Sequence, residues 1–327
     1  SRVYAEDPLR GFLPSIGRLV RYLPPSESES VRVDTGVAEG SEVSLHYDPM
    51  IAKLITHGPT RDIAIERMRE ALNRFCIRGV QHNISFLAAL VNHPRFRSGQ
   101  IDTNLVGEEY PDGFHAANVV HDSPATLVAV AASIHRRYMD RASQISGQLP
   151  GYERKVQDHW VVVMDRTHYP VRVAPLDDGQ GHLVEYEGGQ VQVVSNWQFG
   201  QPLFLGTLDG ESISMQVERR NAIYRLFHWG SQVDVMVLTA RAAELLRCMP
   251  VKQPPDSSKH LLSPMPGMLK EVLVREGDEV KSGQDLAVVE AMKMENVLRA
   301  DHDATVAALL AGVGDTLSVD QPILEYA

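Results

Sequence analysis

The chain has 327 residues, 43% of them hydrophobic and 23% charged, an ordinary balance for a globular protein with room for two or three cores. A formal net charge of −10 argues against a general nucleic-acid or anionic-membrane binder, since either would need a basic surface. The longest apolar run, Ala125 to Ile134, is far too short to span a bilayer, and the absence of a Gly-Lys dipeptide excludes a Walker-type phosphate loop.

The thirteen histidines are scattered, with no His-x-x-x-His pair and no Cys/His cluster of zinc spacing, so no metal site is expected. Cys76 and Cys248 lie far apart in apolar surroundings and read as two buried free thiols of a reducing compartment. The opening Ser1-Arg2-Val3-Tyr4-Ala5-Glu6-Asp7-Pro8 has neither an initiator methionine nor a signal peptide and reads as the tail of a longer polypeptide.

Residues 1–106 mix strands and helices. Arg18–Leu23, Val31–Val37 and Ser41–His46 read as short strands around a turn with Pro24-Pro25. Thr60–Phe75 places Ile63, Met68, Ala71, Leu72 and Phe75 at helical spacing, with Thr60 as N-cap, and Asn83–Val91 reads as a second helix halted by Pro94. Asp48 is expected to be a buried structural carboxylate in a turn rather than a catalytic one.

Residues 107–123 are polar and read as a linker. A strong helix follows, with Ser123 as N-cap and Pro124 at its first position, running to about Arg141. Its first half is apolar nearly all round, which predicts that other elements wrap it. Eight short strand candidates come next: 155–164, 169–175, 182–186, 190–195, 202–207, 211–218, 221–228 and 232–238. That spacing favours an antiparallel barrel or a strongly curved sheet, closed to avoid exposed edges. Trp160, Trp197 and Trp229 stand as either core residues or interface anchors, core being the commoner role.

Met249–His260 is rich in proline and serine and reads as a linker. Ten such residues would span up to about 33 Å when extended. Beyond it one pattern occurs twice, Val274-Arg275-Glu276-Gly277-Asp278-Glu279-Val280 and Ala311-Gly312-Val313-Gly314-Asp315-Thr316-Leu317, with Gln284 and Leu286 answered by Gln321 and Ile323. The repeat predicts two similar half-sheets face to face, each too small to bury its apolar side alone. Ala291-Met292-Lys293-Met294 lies between them, where a hairpin would carry Lys293 at its tip with a reactive amine on a flexible stem. The plain alternative is a solvated surface lysine.

Three stretches resemble parts of biotin-dependent carboxylases. Residues 261–327 resemble the biotin-carrier domain, with Ala291-Met292-Lys293-Met294 as the biotinylation motif and Ser263-Pro264-Met265-Pro266-Gly267 as the usual opening. Lipoyl domains share that architecture but typically have Asp before and Ala after the modified lysine. Residues 1–106 resemble the C-terminal subdomain of a biotin carboxylase through Arg2–Pro8, Phe12-Leu13-Pro14-Ser15, Tyr47–Leu54 and Gly79-Val80-Gln81-His82-Asn83. The middle region is similar to the carboxylase–carboxyltransferase mediating domain of propionyl-CoA carboxylases, through Val237–Leu245 and Ser195-Asn196-Trp197.

The resemblance implies a multi-domain α+β chain: 1–106 a carboxylase subdomain, 107–249 a mediating domain of a long helix inside an eight-stranded barrel, 250–260 a linker and 261–327 a flattened β-barrel biotinyl domain. It implies biotin amide-linked to Lys293, with Ala291, Met292 and Met294 around it, as the carrier of a carboxyl group to a carboxyltransferase that acts on propionyl-CoA. By position, Arg2 matches the arginine that stabilises the biotin enolate oxygen, a task suited to a fixed, always charged guanidinium; otherwise it is an arginine in an edge strand. Arg32 and Asp34 fall near the family's dimer-forming surface. ATP and Mg2+ would act only in the full-length subunit, so the fragment itself should not make carboxyphosphate. Implied partners are the carboxyltransferase (beta) subunit, a biotin protein ligase and further copies of the subunits, in the bacterial cytoplasm or mitochondrial matrix. A 3-methylcrotonyl-CoA or other acyl-CoA carboxylase is the near alternative, and a non-catalytic carrier and assembly module is the alternative of a different class.

Overall fold

A computed structural model describes residues 1–44, 47–119, 123–176, 179–250, 259–291 and 294–327, with the side chain of Met294 not described. Among these residues the apolar side chains gather into three clusters.

The first cluster belongs to short strands β1 (Arg2–Tyr4), β2 (Glu6–Asp7), β3 (Leu13–Pro14), β4 (Gly17–Arg18), β5 (Arg21–Leu23), β6 (Val31–Thr35), β7 (Glu42–Val43), β8 (Met50–Thr56) and β9 (Cys76–Arg78). Helices α1 (Arg61–Arg74), α2 (Ile84–Asn92), α3 (Pro94–Ser98) and α4 (Leu105–Glu109) accompany them. Strand β8 is central in an antiparallel sheet ordered β1-β8-β6, and its Ile51 and Leu54 join Leu19, Leu72, Phe75 and Ile77 in the fully buried core. Thr60 caps α1 by accepting the Ile63 N–H at 3.3 Å. The expected strand over Arg18–Leu23 divides in two, because Leu19 N–H bonds Ser41 O while Val20 N–H bonds Arg78 O, handing the chain from one partner strand to another. Pro94 does more than end α2: it starts α3, for which His93 is the N-cap.

Of the polar stretch read as a linker, residues 107–119 pack against this domain. Phe114 is buried, and it and Tyr110 meet Phe86 edge-on at 5.4 and 5.7 Å between centroids. Two aromatic anchors outweigh the polar residues around them.

The second cluster is built around α5 (Pro124–Ser143). Among the described residues, β10 (His159–Met164), β11 (Thr167–Pro175), β12 (Gly181–Tyr186), β13 (Gly189–Ser195), β14 (Leu203–Leu208), β15 (Glu211–Arg220), β16 (Ile223–His228) and β17 (Ser231–Leu238) close into an antiparallel barrel through the β10–β17 pair. Each strand sends one fully buried side chain inward: Val162, Val173, Val184, Val193, Phe204, Met215, Leu226 and Val235. Between them Ala129, Ala131 and Ala132 keep the helix thin enough to fit. Polar ties fix it axially: Ser133 Oγ lies 2.8 Å from His182 Nδ1, and the Arg136 guanidinium donates to Asp140, Asp158 and the Val173 carbonyl. Helix α6 (Ala240–Arg247), capped by Thr239, packs outside on β10 and β17.

The third cluster is a sandwich of two four-stranded sheets among the described residues. One is ordered β18 (His260–Leu262), β25 (Pro322–Tyr326), β23 (Ala304–Leu309), β20 (Glu279–Val280). The other is ordered β22 (Met294–Arg299), β21 (Asp285–Ala291), β19 (Gly267–Val272), β24 (Thr316–Leu317). No helix among the described residues is long and apolar enough to cross a membrane.

Candidate functional site

The repeat in the third domain is repeated in its hydrogen bonds. Asp278 Oδ2 accepts the Arg275 N–H and Asp315 Oδ2 accepts the Gly312 N–H, both at 2.8 Å. Gln284 Oε1 accepts the Lys281 N–H at 3.0 Å, and Gln321 Oε1 accepts the Ser318 N–H at 2.9 Å. Leu273 N–H bonds Leu286 O in one half, and Leu310 N–H bonds Ile323 O in the other.

Strands β21 and β22 join the halves, with Val289 opposite Asn296 and Ala291 opposite Met294. Two residues connect that last pair in sequence, Met292 and Lys293, and both lie outside the described residues. Ala291 is buried. The opening motif holds the sheet beside this junction. Ser263 Oγ donates to Met265 O at 2.7 Å, the buried Met265 sulfur accepts from Asn296 Nδ2 at 3.5 Å, and a Cβ on Gly267 would stand 2.7 Å from the Glu290 carbonyl. Any larger residue at 267 would therefore push β19 off β21. Lys270 forms an ion pair with Glu295, which raises the lysine's pKa.

Arg2 lies in the first domain, exposed on β1 opposite Lys53. Asn83 fixes the strand by donating to Arg2 O at 3.2 Å and accepting the Tyr4 N–H at 3.0 Å. Asp48 is exposed rather than buried, because its Oδ1 closes a tight turn by accepting the Met50 N–H at 2.8 Å at the surface. Tyr47 beside it is 79% exposed. Arg32 and Asp34 pair with each other at 3.1 Å on β6. Cys76 is buried as expected, while Cys248 is exposed at the end of α6. Among the described residues no group of three His, Cys, Asp or Glu could hold a metal.

Comparison with known proteins assigns each domain. Residues 1–108 match the biotin carboxylase C-terminal domain, 127–252 the propionyl-coenzyme A carboxylase BT domain and 259–325 the biotin-requiring enzyme family. The propionyl-CoA carboxylase alpha chain of Ruegeria pomeroyi is 43% identical over 100% of this chain and 50% of its own length. The chain is homologous to part of the propionyl-CoA carboxylase alpha chain. The human mitochondrial propionyl-CoA carboxylase alpha chain is 38% identical over 99% of this chain and 45% of its own. The mitochondrial methylcrotonoyl-CoA carboxylase subunit alpha of rice (Oryza sativa subsp. japonica) is 28% identical over 96% and 47%. The chain thus spans about half the length of the curated relatives it matches.

Between the carboxylase-type and BT-type segments lies a polar seam that sequence reasoning missed. Asn73, on α1, is buried and donates to Ser214 O at 2.7 Å and Ser214 Oγ at 2.9 Å, while its Oδ1 accepts the Trp229 N–H at 2.9 Å. Arg69 covers the Trp229 ring at 4.6 Å, and Arg78 lies 3.7 Å from the Phe227 ring centroid while pairing with Glu218 at 3.2 Å. Trp229 is therefore an anchor between domains, whereas Trp160 and Trp197 are core residues of the barrel.

Proposed function

We propose that this chain is the carrier portion of a propionyl-CoA carboxylase alpha subunit, with biotin amide-linked to Lys293 and methylmalonyl-CoA as the product of the whole enzyme. The observation that carries this reading is the pair of matched half-sheets joined through Ala291 and Met294, with one lysine between them in sequence. The donor chemistry fits, since a lysine amine is what an amide to a carboxylate-bearing cofactor requires. Bound biotin would supply a ureido nitrogen able to take up and release a carboxyl group. The chain's own part is mechanical: the Asp278 and Asp315 turns stiffen both halves, Gly267 seats β19 on β21, and Ala291, Met292 and Met294 flank the lysine in sequence as the motif a biotin protein ligase would read.

This reading divides the chain into 1–106, 107–249, 250–260 and 261–327, with the start of the second segment packed on the first through Tyr110 and Phe114 and with 250–260 as the tether that raises effective concentration at two sites. The BT-type barrel would dock on a carboxyltransferase subunit. Its loop between α5 and β10 supports that, since Ile145, Leu149 and Tyr152 are 59%, 70% and 84% exposed. ATP and Mg2+ would bind a portion outside these 327 residues, which alone should release no phosphate from ATP. Arg2 would stabilise the biotin enolate oxygen, and Arg2→Ala in the whole enzyme should cost about 3 kcal/mol of transition-state stabilisation. Identities of 43% and 38% to propionyl-CoA enzymes against 28% to a methylcrotonoyl-CoA enzyme favour propionyl-CoA as substrate. Bacterial and mitochondrial relatives are consistent with the bacterial cytoplasm or mitochondrial matrix.

Intact mass and avidin shift after co-expression with a biotin ligase test the assignment. One biotin is expected, lost in Lys293→Ala. Lipoate on Lys293, or biotin persisting in the variant, would overturn it.

A further inference from the structure

A loop of the first domain and a turn of the third, each containing left-handed backbone, meet at the boundary between the two domains. In the Asp7–Pro14 loop Gly11 and Phe12 follow one another at φ 66° and 62°. A phenylalanine rarely adopts this conformation, so the loop is held there by its surroundings. Asp7 accepts the Leu9 N–H at 3.0 Å and the Phe12 N–H bonds Asp7 O at 2.8 Å, while the Phe12 ring packs edge-on to Phe86 at 4.9 Å. With Phe12 turned into the first core, Leu13 packs against the third cluster instead.

On the other side the repeat breaks its own symmetry. Gly283 and Asp320 hold equivalent places, just before Gln284 and Gln321, with φ 83° and 60°. Glycine is the residue that suits such a turn, and the first copy uses it. The second copy uses aspartate, and its Oδ1 lies 3.3 Å from Arg10 Nη2.

The turn that carries Asp320 also sits at a particular end of the sandwich. Thr316 pairs with Met268, Met268 pairs with Glu290, and Glu290 adjoins Ala291. The Ser318–Gln321 turn is thus at the end where β21 meets β22. Its counterpart is remote from that end, since Gly283 N–H bonds the Ala300 carbonyl beyond β22. A cleft of about 1180 Å³ opens beside the contact, lined from the first domain by Arg10 and Leu13, from the barrel by Arg225, and from the third domain by Pro264, Pro266 and Val319.

We propose that the Asp7–Pro14 loop is a docking site for the third domain of the same chain, latched by Arg10 and Asp320, which holds the β21–β22 end beside this cleft. Each side also holds its own domain, Phe12 by packing on Phe86 and Asp320 by donating its N–H to the Ser263 carbonyl at 2.8 Å, and each leaves a neighbouring group, Leu13 or the Asp320 carboxylate, turned to the other domain. The latch is weak by construction: both partners are exposed, at 39% and 66%, and such a pair shifts a docked–undocked equilibrium by no more than about fivefold. A carrier that must leave needs that weakness, and only this consequence rests on the carrier reading.

Nitrogen-15 relaxation of the full 327-residue chain, without biotin, tests the latch. Third-domain amides should share the correlation time of the barrel, and dilution should leave this unchanged. Asp320→Gly, which places the first copy's residue in the second, should lower the docked-to-undocked ratio by up to about fivefold, read as a shorter apparent correlation time for the third domain, without lowering its melting temperature. Arg10→Asp, altered in the other domain, should release it further, and the exchange Arg10→Asp with Asp320→Arg should bring back common tumbling. Independent tumbling in the unaltered chain, or no change in either single variant, would overturn the proposal. Loss of docking on dilution would do so too, assigning the contact to a second copy. Because the sample carries no biotin, its outcome is independent of whether Lys293 is the modified residue.

Discussion

Gln216 in the barrel and Asn73 on α1 are bonded through the backbone of the first domain: Gln216 Nε2 donates to the Asn73 carbonyl at 2.8 Å, with 5% and 4% of the two residues exposed. The Asn73 amide in turn spends its own groups on Ser214 and Trp229, so all its side-chain bonds cross between domains. Asn73→Ala would leave the largely buried Ser214 carbonyl and the part-buried Trp229 N–H short of a partner. The expected loss is about 1–3 kcal/mol, visible as a separation of first-domain and barrel transitions in urea. Gly230→Ala should act in the same direction, since its Cβ would stand 2.9 Å from Ser85 Cα at φ 85°.

What could be read from the sequence was whatever obeyed a period. The barrel strands alternate, and one residue of each ends fully buried against the alanine face of α5. The Gly-Asp repeat announced two half-sheets, down to the equivalence of Gln284 and Gln321. Asn73 obeys its period too, and its role is hidden for that reason. With Arg69, Glu70 and Arg74 it marks the polar face of α1, which isolated helix logic sends to water but which the barrel covers. Cys248 failed in the opposite sense: Leu245 and Met249 beside it are apolar yet 52% and 65% exposed, because α6 ends on the outside of the barrel. Lys293 was singled out by its neighbours in sequence and by its place between the two copies of the repeat, at the tip of an expected hairpin.

Two histidines make stability depend on mildly acidic pH. Burial strips hydration from His135 and pushes its pKa down to about 4, with Arg219 and Arg154 adding to the effect; His82 is held at about 4 by burial and by Arg78. The folded protein refuses protons that an unfolded histidine accepts near pH 6.5, so stability is complete above that pH and falls between 6.5 and 4. For His135 the loss at pH 5 amounts to roughly 2 kcal/mol. His135→Gln, which can still bond the Tyr224 hydroxyl that now lies 3.1 Å from Nδ1, should narrow the gap between urea curves at pH 7 and pH 5. An unchanged gap would show that His135 protonates as readily in the fold as outside it.

The two cysteines should differ sharply towards a thiol reagent. Cys76 is buried, which raises its pKa, and Cys248 is exposed. One equivalent of Ellman's reagent should react quickly under native conditions and a second only on unfolding. Cys248→Ser should remove the fast equivalent and leave the slow one.

Asp278 and Asp315 offer a test of how deep the internal repeat runs. Each accepts a backbone N–H three residues earlier at 2.8 Å, next to a glycine with a left-handed backbone, Gly277 at φ 90° and Gly314 at φ 95°. If the halves are energetically as well as geometrically equivalent, Asp278→Ala and Asp315→Ala should each cost about 1 kcal/mol, read from amide exchange in β21 and β25. The turns share no hydrogen bond, so the double variant should lose about the sum. The Asp315 turn, however, leads directly into Ser318–Gln321, the turn that meets Arg10. A larger loss in Asp315→Ala that disappears when Arg10→Asp is already present would locate the excess in docking between domains. A larger loss that persists there would locate it in the second half-sheet itself.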